Sequence, residues 1–215
     1  LLWAQGVGPL DTPGSREVVR MAFGSADFAS VRDGESLALL RGLGIEGKIE
    51  VAPDPVWALS LEGDRAEPAA TPRRVGIMLR QWVFVQQWED SLLEAIHECL
   101  PADTVLGWMS SQTEDIPYRS VSDREYLQSL AGRLAAFPTE WVSCDSVAGL
   151  SAQMSSCDRL ICMRLHGQIL AQRMGVPTLC IEYDHKMSVV SEQVGIAPEL
   201  RVSPDASQIG RASWR

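Results

Sequence analysis

The sequence predicts an α/β protein made of two Rossmann-like domains with parallel sheets. Short apolar runs of strand length alternate with amphipathic runs of helical length along the 215 residues. Polar side chains collect directly after several apolar runs, as they do at the carboxyl ends of parallel strands. Residues 63–74, rich in Pro, Ala and charge, interrupt the alternation and predict a linker. The predicted domains are residues 1–62, the C-terminal part of a first Rossmann-like domain, and residues 75–215, a complete second one.

The composition, with 46% apolar and 22% charged residues, is that of an ordinary globular protein. A net charge of −9 argues against nucleic acid as a partner, because nucleic-acid binding usually shows as a basic patch. No apolar run approaches the roughly 18 residues of a membrane-spanning helix, so membrane association is expected to be peripheral at most. The five Cys lack metal-binding spacing and are interpreted as reduced core thiols of a cytoplasmic protein.

The first domain opens with an apolar strand that enters a Gly- and Pro-rich loop. Gln5 and Gly8 are candidate substrate contacts in this loop, because glycine lets the backbone approach a ligand closely; a plain turn is the alternative. Periodicity predicts the elements of this domain. They are strands over 1–4, 27–31 and 48–52 and helices over 15–25 and 35–43.

Charged residues follow the second and third of these strands. Arg32 is a candidate substrate contact, and an ion pair with Asp33 that orders the loop is the alternative. Asp54 could orient a substrate hydroxyl or close an Asx turn. The sequence leaves both alternatives open.

The second domain resumes the alternation of strands and helices. Its predicted strands cover 75–79, 104–109, 140–142, 158–163 and 178–181, and its predicted helices cover 87–100, 123–134, 147–156 and 168–174. Arg80 ends the first strand, where open α/β sheets bind ligands, although a surface arginine is the alternative. Gln112 and Asp115, in the loop after the second strand, could touch a sugar, but a solvated loop is the simpler interpretation. Three tryptophans could stack on sugars, but packing is the simpler interpretation for each: Trp82, Trp88 and Trp108.

Two polar stretches follow the last two predicted strands of this domain. Arg164-Leu165-His166-Gly167 precedes a helix, and Glu182-Tyr183-Asp184-His185-Lys186 follows the next strand. A βαβ unit brings such strand ends side by side. An Arg beside a His at a helix N-terminus makes an anion site, because free backbone N–H groups and the helix dipole favour negative charge. A capping or packing histidine is the alternative.

Several blocks of the chain, in this order, resemble the polysaccharide pyruvyltransferase family. They are Gln5–Leu10, similar to the family's QGxGP segment, Ser30–Asp33 with Glu35-Ser36, Leu43-Gly44, Asp54-Pro55, and Arg164–His166 with Tyr183 and Lys186. The resemblance implies a fold similar to glycosyltransferases of the GT-B type, with the active site in the cleft between two domains. Family members carry a Gly-rich βα turn before the QGxGP segment, so we expect the chain to be the C-terminal portion of a longer protein or a truncated gene product.

The resemblance also implies an activity. A pyruvyl group would move from phosphoenolpyruvate, the donor substrate, to two hydroxyls of a sugar in a cell-wall or extracellular polysaccharide precursor, forming a pyruvate ketal. No metal or cofactor is expected. The acceptor could be lipid-linked, which would place the protein at the inner face of the membrane.

Under this resemblance, His166 is the acid-base candidate, Arg164 binds the donor's carboxylate or phosphate, and Lys186 is a second phosphate contact. The predicted substrate-binding set is Arg80, Arg32, Gln5, Gly8, Asp54, Tyr183 and Glu182.

Two alternatives to this activity remain. One is a GT-B-type glycosyltransferase with a nucleotide-sugar donor, in which Glu182 would bind the ribose; the ordered family blocks argue against it. The other is a non-catalytic sugar- or anion-binding fragment.

Overall fold

The structure is a computed structural model in which residues 1–61, 73–82, 86–111, 122–142 and 146–204 are described. The chain forms two compact units, Leu1–Leu59 and Ser60–Arg215. Most of the predicted linker lies outside the described residues, as do Gln112 and Asp115.

The small unit is a parallel three-stranded sheet with two helices. Its strands are β1 (Leu2–Gln5), β2 (Ala29–Val31) and β3 (Ile49–Val51), in the order β1-β2-β3, and its helices are α1 (Pro13–Gly24) and α2 (Gly34–Gly42). A 3-10 helix, Pro55–Ala58, follows β3. Phe23, Val31 and Leu40 form its buried core, because the apolar faces of both helices pack against the central strand.

The large unit contains a parallel six-stranded sheet. Its strands are β4 (Arg74–Met78), β5 (Val105–Met109), β6 (Thr139–Val142), β7 (Arg159–Cys162), β8 (Thr178–Ile181) and β9 (Arg201–Val202). Its helices are α3 (Gln86–Cys99), α4 (Asp123–Arg133), α5 (Val147–Ser155), α6 (Leu165–Arg173) and α7 (His185–Gln193), and a 3-10 helix covers Pro198–Leu200. The α/β class with parallel sheets is therefore confirmed.

The strand order in the large unit is β6-β5-β4-β7-β8-β9. Counted from β4, this is 3-2-1-4-5-6, the Rossmann order. The winding direction reverses between β4 and β7, and the loops after these two strands flank the crevice in which such sheets bind ligands. The topology therefore indicates that a ligand site would be formed by the residues after Met78 and Cys162.

Strands β4, β5, β7 and β8 are nearly continuous apolar runs because they are buried on both faces, whereas the edge strand β6 is mostly exposed. Trp88 and Trp108 are fully buried in the core, which confirms packing as their role. Trp82 is partly buried against the same core.

The cysteine prediction is correct for three described residues and wrong for one. Cys157, Cys162 and Cys180 are buried thiols without disulfides, and burial raises the pKa of Cys162 to about 12. Cys99 is exposed instead, because Ile96 and Leu100 occupy the buried positions around the end of α3. Cys144 lies outside the described residues.

The structure also corrects one helix boundary and adds two elements. Helix α6 begins at Leu165, not at residue 168, so His166 lies in its first turn. The residue at the N-cap, Arg164, makes no side-chain capping hydrogen bond, and the sequence therefore carries no start signal there. Neither α7 nor β9 is predicted from the sequence pattern, and His185 and Lys186 begin α7 instead of lying in a loop.

Candidate active site

The carboxyl ends of β4, β7 and β8 bring most of the predicted site residues together in the large unit. Met78, Cys162 and Cys180 are in register across the three strands. The loop after β4 carries Arg80, the loop after β7 leads into α6, and the loop after β8 carries Glu182, Tyr183 and Asp184. The candidate site is therefore built on three adjacent strand ends.

Arg80 is a buried cation at this edge. It is 8% exposed, and its Nη1 donates a long hydrogen bond of 3.5 Å to Tyr183 Oη. Its guanidinium carbon lies 5.2 Å from the ring centroid of Trp82 and 5.6 Å from that of Tyr183, while its buried Nε has no hydrogen-bond acceptor. Within the described ranges, no carboxylate forms an ion pair with Arg80. Since burying an uncompensated charge is costly, this position is suited to a bound anion.

The first turn of α6 lies against Met78, the last residue of β4, two residues before Arg80. The first N–H groups of a helix have no intrahelical acceptors, and here no side chain caps them from the N-cap position. His166 is exposed in this turn, whereas Gly167 is buried. A Cβ on Gly167 would lie 2.9 Å from Cys162 Sγ and closer still to Met78 Sδ, so only glycine lets the turn rest on the strand ends. The turn therefore offers helix N–H groups and an accessible imidazole at the switch point.

Arg164 is anchored within the large unit. Its Nη2 forms an ion pair with Asp123, the first residue of α4, and both side chains are largely buried. Sequence reasoning missed Asp123, because an acidic residue is common in the first turn of any helix. Nothing local in the sequence signals a partner 41 residues away.

Tyr183 and Lys186 line the β8 side of the site. The ring centroids of Tyr183 and Trp82 are 4.5 Å apart, and Lys186 Nζ lies 5.9 Å from the Tyr183 ring centroid. Lys186 is exposed and pairs with Asp184 at 3.2 Å, while Asp184 also caps α7 by accepting a hydrogen bond from the Lys186 backbone N–H. Tyr183 thus contacts two cations from one position.

Glu182 is held by neighbours within the fold. It accepts hydrogen bonds from Arg201 Nε at 2.7 Å and from Ser188 Oγ at 2.9 Å. Burial alone would raise the pKa of Glu182, but the hydrogen bonds from Arg201, Ser191 and Ser188 outweigh burial and lower it. Both carboxylate oxygens are engaged, which weighs against the ribose-binding role required by the glycosyltransferase alternative.

In the small unit, Arg32 is surrounded by carboxylates. Its guanidinium lies 3.4 Å from Asp54 and 3.8 Å from Asp33. It also packs on Gly6, where a Cβ would come within 2.6 Å of it. The ion pair with Asp33 is present, and so is the Asx turn, in which Asp54 accepts a hydrogen bond from the Val56 N–H.

The remaining predicted contacts of the small unit are Gln5, the last residue of β1, and Gly8, in the loop that follows. Gln5 is exposed and donates to the Trp3 carbonyl at 2.8 Å. Gly8 has a φ of +117°, a conformation that favours glycine, and a Cβ there would lie 2.9 Å from Leu39. A substrate-binding role for these residues stays a prediction.

The described residues carry neither a metal-binding cluster nor a membrane-spanning helix. No group of three or more His, Cys, Asp or Glu side chains among them is placed to hold a metal ion. No helix among them is long and apolar enough to cross a membrane.

The family model described as polysaccharide pyruvyl transferase matches residues 1–185 of this chain. No curated protein matches the chain. The family match spans the small unit and the large unit as far as the first residue of α7. The chain therefore belongs to the polysaccharide pyruvyl transferase family, a family of transferases that pyruvylate polysaccharides.

Proposed function

We propose that this protein transfers the pyruvyl group of phosphoenolpyruvate to two hydroxyls of a sugar, forming a cyclic pyruvate ketal on a cell-wall or extracellular polysaccharide precursor. The observation that carries the proposal is Arg80, a buried guanidinium without an ion-pair partner in the described part of the chain. It follows β4, and the last residue of β4, Met78, lies against the first turn of α6. Family membership indicates that the transferred group is pyruvyl. The buried cation at this site favours an anionic donor such as phosphoenolpyruvate.

Phosphoenolpyruvate carries a carboxylate and a phosphate. The planar fork of Arg80 can bind either group bidentately. The N–H groups at the start of α6 suit the other group, because the helix dipole favours negative charge there. In the proposed complex, Arg164 adds a cationic contact and Lys186 a second phosphate contact.

The reaction requires one general acid that protonates a carbon atom of the donor. His166 protonates the methylene carbon of the donor, which becomes a methyl group and leaves C2 electrophilic. A sugar hydroxyl adds to C2 and loses its proton, and the C2–O bond to phosphate breaks. A second hydroxyl then adds to C2 and loses its proton, which closes the ketal. The products are the ketal and inorganic phosphate. The His166 side chain that supplies the proton is exposed.

The sugar acceptor is inferred from family membership. A sugar carried on a lipid would place the protein in the cytoplasm at the inner face of the membrane, as a peripheral partner. Tyr183 and the small-unit residues Gln5, Gly8, Arg32 and Asp54 are the proposed sugar contacts.

The test is acceptor-dependent release of phosphate from phosphoenolpyruvate by the protein and by its His166→Ala variant. Loss of the general acid should lower the rate by at least about 100-fold. The matched control is His97→Ala, because His97 is an exposed histidine near the end of α3, away from the strand ends. Equal activity of H166A and H97A would contradict the role of His166, and no consumption of phosphoenolpyruvate with any sugar acceptor would contradict the proposed function.

A further inference from the structure

Asp123 is a buried carboxylate whose partner lies next to the proposed acid. The Asp123 side chain is 5% exposed and pairs with Arg164, which is 17% exposed. Burying two opposite charges adds little net stability compared with apolar residues of the same size. Stability alone therefore does not explain this pair.

The carboxylate is presented from a firmly held helix. Ser122 and Glu125 form a capping box at the start of α4, which fixes the backbone around Asp123. Further along α4, Tyr126 donates a hydrogen bond of 2.8 Å to Glu89 on α3, and Leu127 is fully buried in the core. The Asp123 oxygens consequently have a fixed position relative to the sheet.

The guanidinium belongs to Arg164, the N-cap residue of α6. The Arg164 carbonyl accepts the first helical hydrogen bond, from the Gln168 N–H at 2.9 Å, and His166 follows two residues later. A side chain held at the N-cap restrains the backbone of the first turn. It thereby restrains the direction in which the imidazole projects.

We propose that Asp123 is a positioning residue for pyruvyl transfer. It holds the Arg164 guanidinium in one orientation and, through it, sets the first turn of α6 that carries His166. This inference rests on the proposed function and adds to it a residue on a different helix.

The kinetic test compares Asp123→Asn with a matched control, Glu140→Gln. Glu140 pairs with Arg74 at 2.6 Å near the opposite, amino-terminal edge of the same sheet. Because small misplacements of catalytic groups are costly, D123N should lower kcat/KM for phosphoenolpyruvate by about 10-fold or more per folded molecule, and E140Q by less than about twofold. Equal effects of the two variants would overturn the inference.

A double-mutant cycle tests whether Asp123 acts through Arg164. In an Arg164→Gln background, D123N should change kcat/KM by less than about twofold, because the contact through which it acts is already gone. Additive losses would overturn the proposed route. Should D123N fail to fold, Asp123→Glu carries the test, since it keeps the charge and shifts the carboxylate by one methylene. A loss of about threefold at an unchanged melting temperature supports positioning, and an unchanged rate contradicts it.

A readout without turnover separates this inference from the proposed function. Amide hydrogen exchange in a peptide spanning residues 163–170 should accelerate several-fold in D123N and stay unchanged in E140Q. If the wild-type protein ignores phosphoenolpyruvate, the proposed function fails while this measurement still decides whether Asp123 orders the turn. Unchanged exchange in D123N would overturn the positioning role.

Discussion

Two arginines follow strands in the two units, and their surroundings differ. Arg32, after β2, lies within 4 Å of two carboxylates, at 3.4 Å from Asp54 and 3.8 Å from Asp33. Arg80, after β4, is more deeply buried, and two aromatic rings surround it in place of carboxylates. Carboxylates within the fold balance the charge of Arg32, whereas no carboxylate among the described residues pairs with Arg80. The same residue type at a strand end thus forms ion pairs in one unit and lies at the proposed donor site in the other.

The largest expected effect comes from removing each guanidinium in turn. Arg80→Met should lower kcat/KM for phosphoenolpyruvate by at least about 100-fold, because a buried charge contact to the donor is lost. Its stability should be unchanged or higher, since an uncompensated buried charge is removed. Arg32→Met should instead cost about 1–3 kcal/mol of unfolding free energy, because it leaves Asp54 buried without its cation.

Steady-state kinetics and urea unfolding of both variants check this prediction. A stability loss in R80M as large as that in R32M would abolish the distinction between the two arginines. Inorganic phosphate should raise the melting temperature of the wild-type protein and of R32M, but not that of R80M.

A smaller effect is expected from adding a methyl group at one glycine in each unit, Gly167 in the first turn of α6 and Gly6 beside Arg32. Gly167→Ala places a Cβ against Cys162 and Met78, two buried residues at the strand ends, and should cost about 1–3 kcal/mol with reduced turnover. Gly6→Ala meets only the end of the Arg32 side chain, which can move aside, so its cost should be below about 1 kcal/mol. Thermal unfolding and phosphate release measure both, and a costlier G6A would show that the small-unit loop is the more tightly packed of the two.

The smallest effect concerns acid stability of the large unit. The pKa of Glu182 is lower in the folded protein, so its stabilising contribution is complete above the ordinary carboxyl range and is lost as pH falls through the folded pKa. The free energy of unfolding should therefore fall less between pH 7 and pH 3 in Glu182→Gln than in the wild type. The two decreases should differ by about 1 kcal/mol or less, because solvent screens this partly exposed group. Urea unfolding at the two pH values measures the difference. A larger decrease in E182Q than in the wild type would contradict a lowered pKa of Glu182 in the folded protein.

The sequence predicts most strands and helices of both units to within one or two residues. Hydrophobic periodicity is local, and strands such as β4 and helices such as α4 combine it with clear ends. The start of α6 escapes prediction because Arg164 is not a capping residue, and the contact of Gly167 with the strand ends is tertiary. The short strand β9 has too few residues to show a period.

Part of the candidate site is likewise predictable from the sequence and part is not. The residues after β4, β7 and β8 are predictable because polar side chains at parallel strand ends face ligands. Their ion-pair partners are not, since Asp123 and Arg201 belong to elements remote in the chain from Arg164 and Glu182.

The sequence by itself therefore determines the α/β class, the order of most strands and helices, the family and the group of residues from which a site can be built. Only the tertiary structure decides which of the cations have a carboxylate partner. It pairs Arg164 with Asp123 and Arg32 with Asp54, and it buries Arg80 between aromatic rings. The physical reason is that the strength of a charge interaction depends on distance and burial, and both are set by contacts between residues far apart in the sequence.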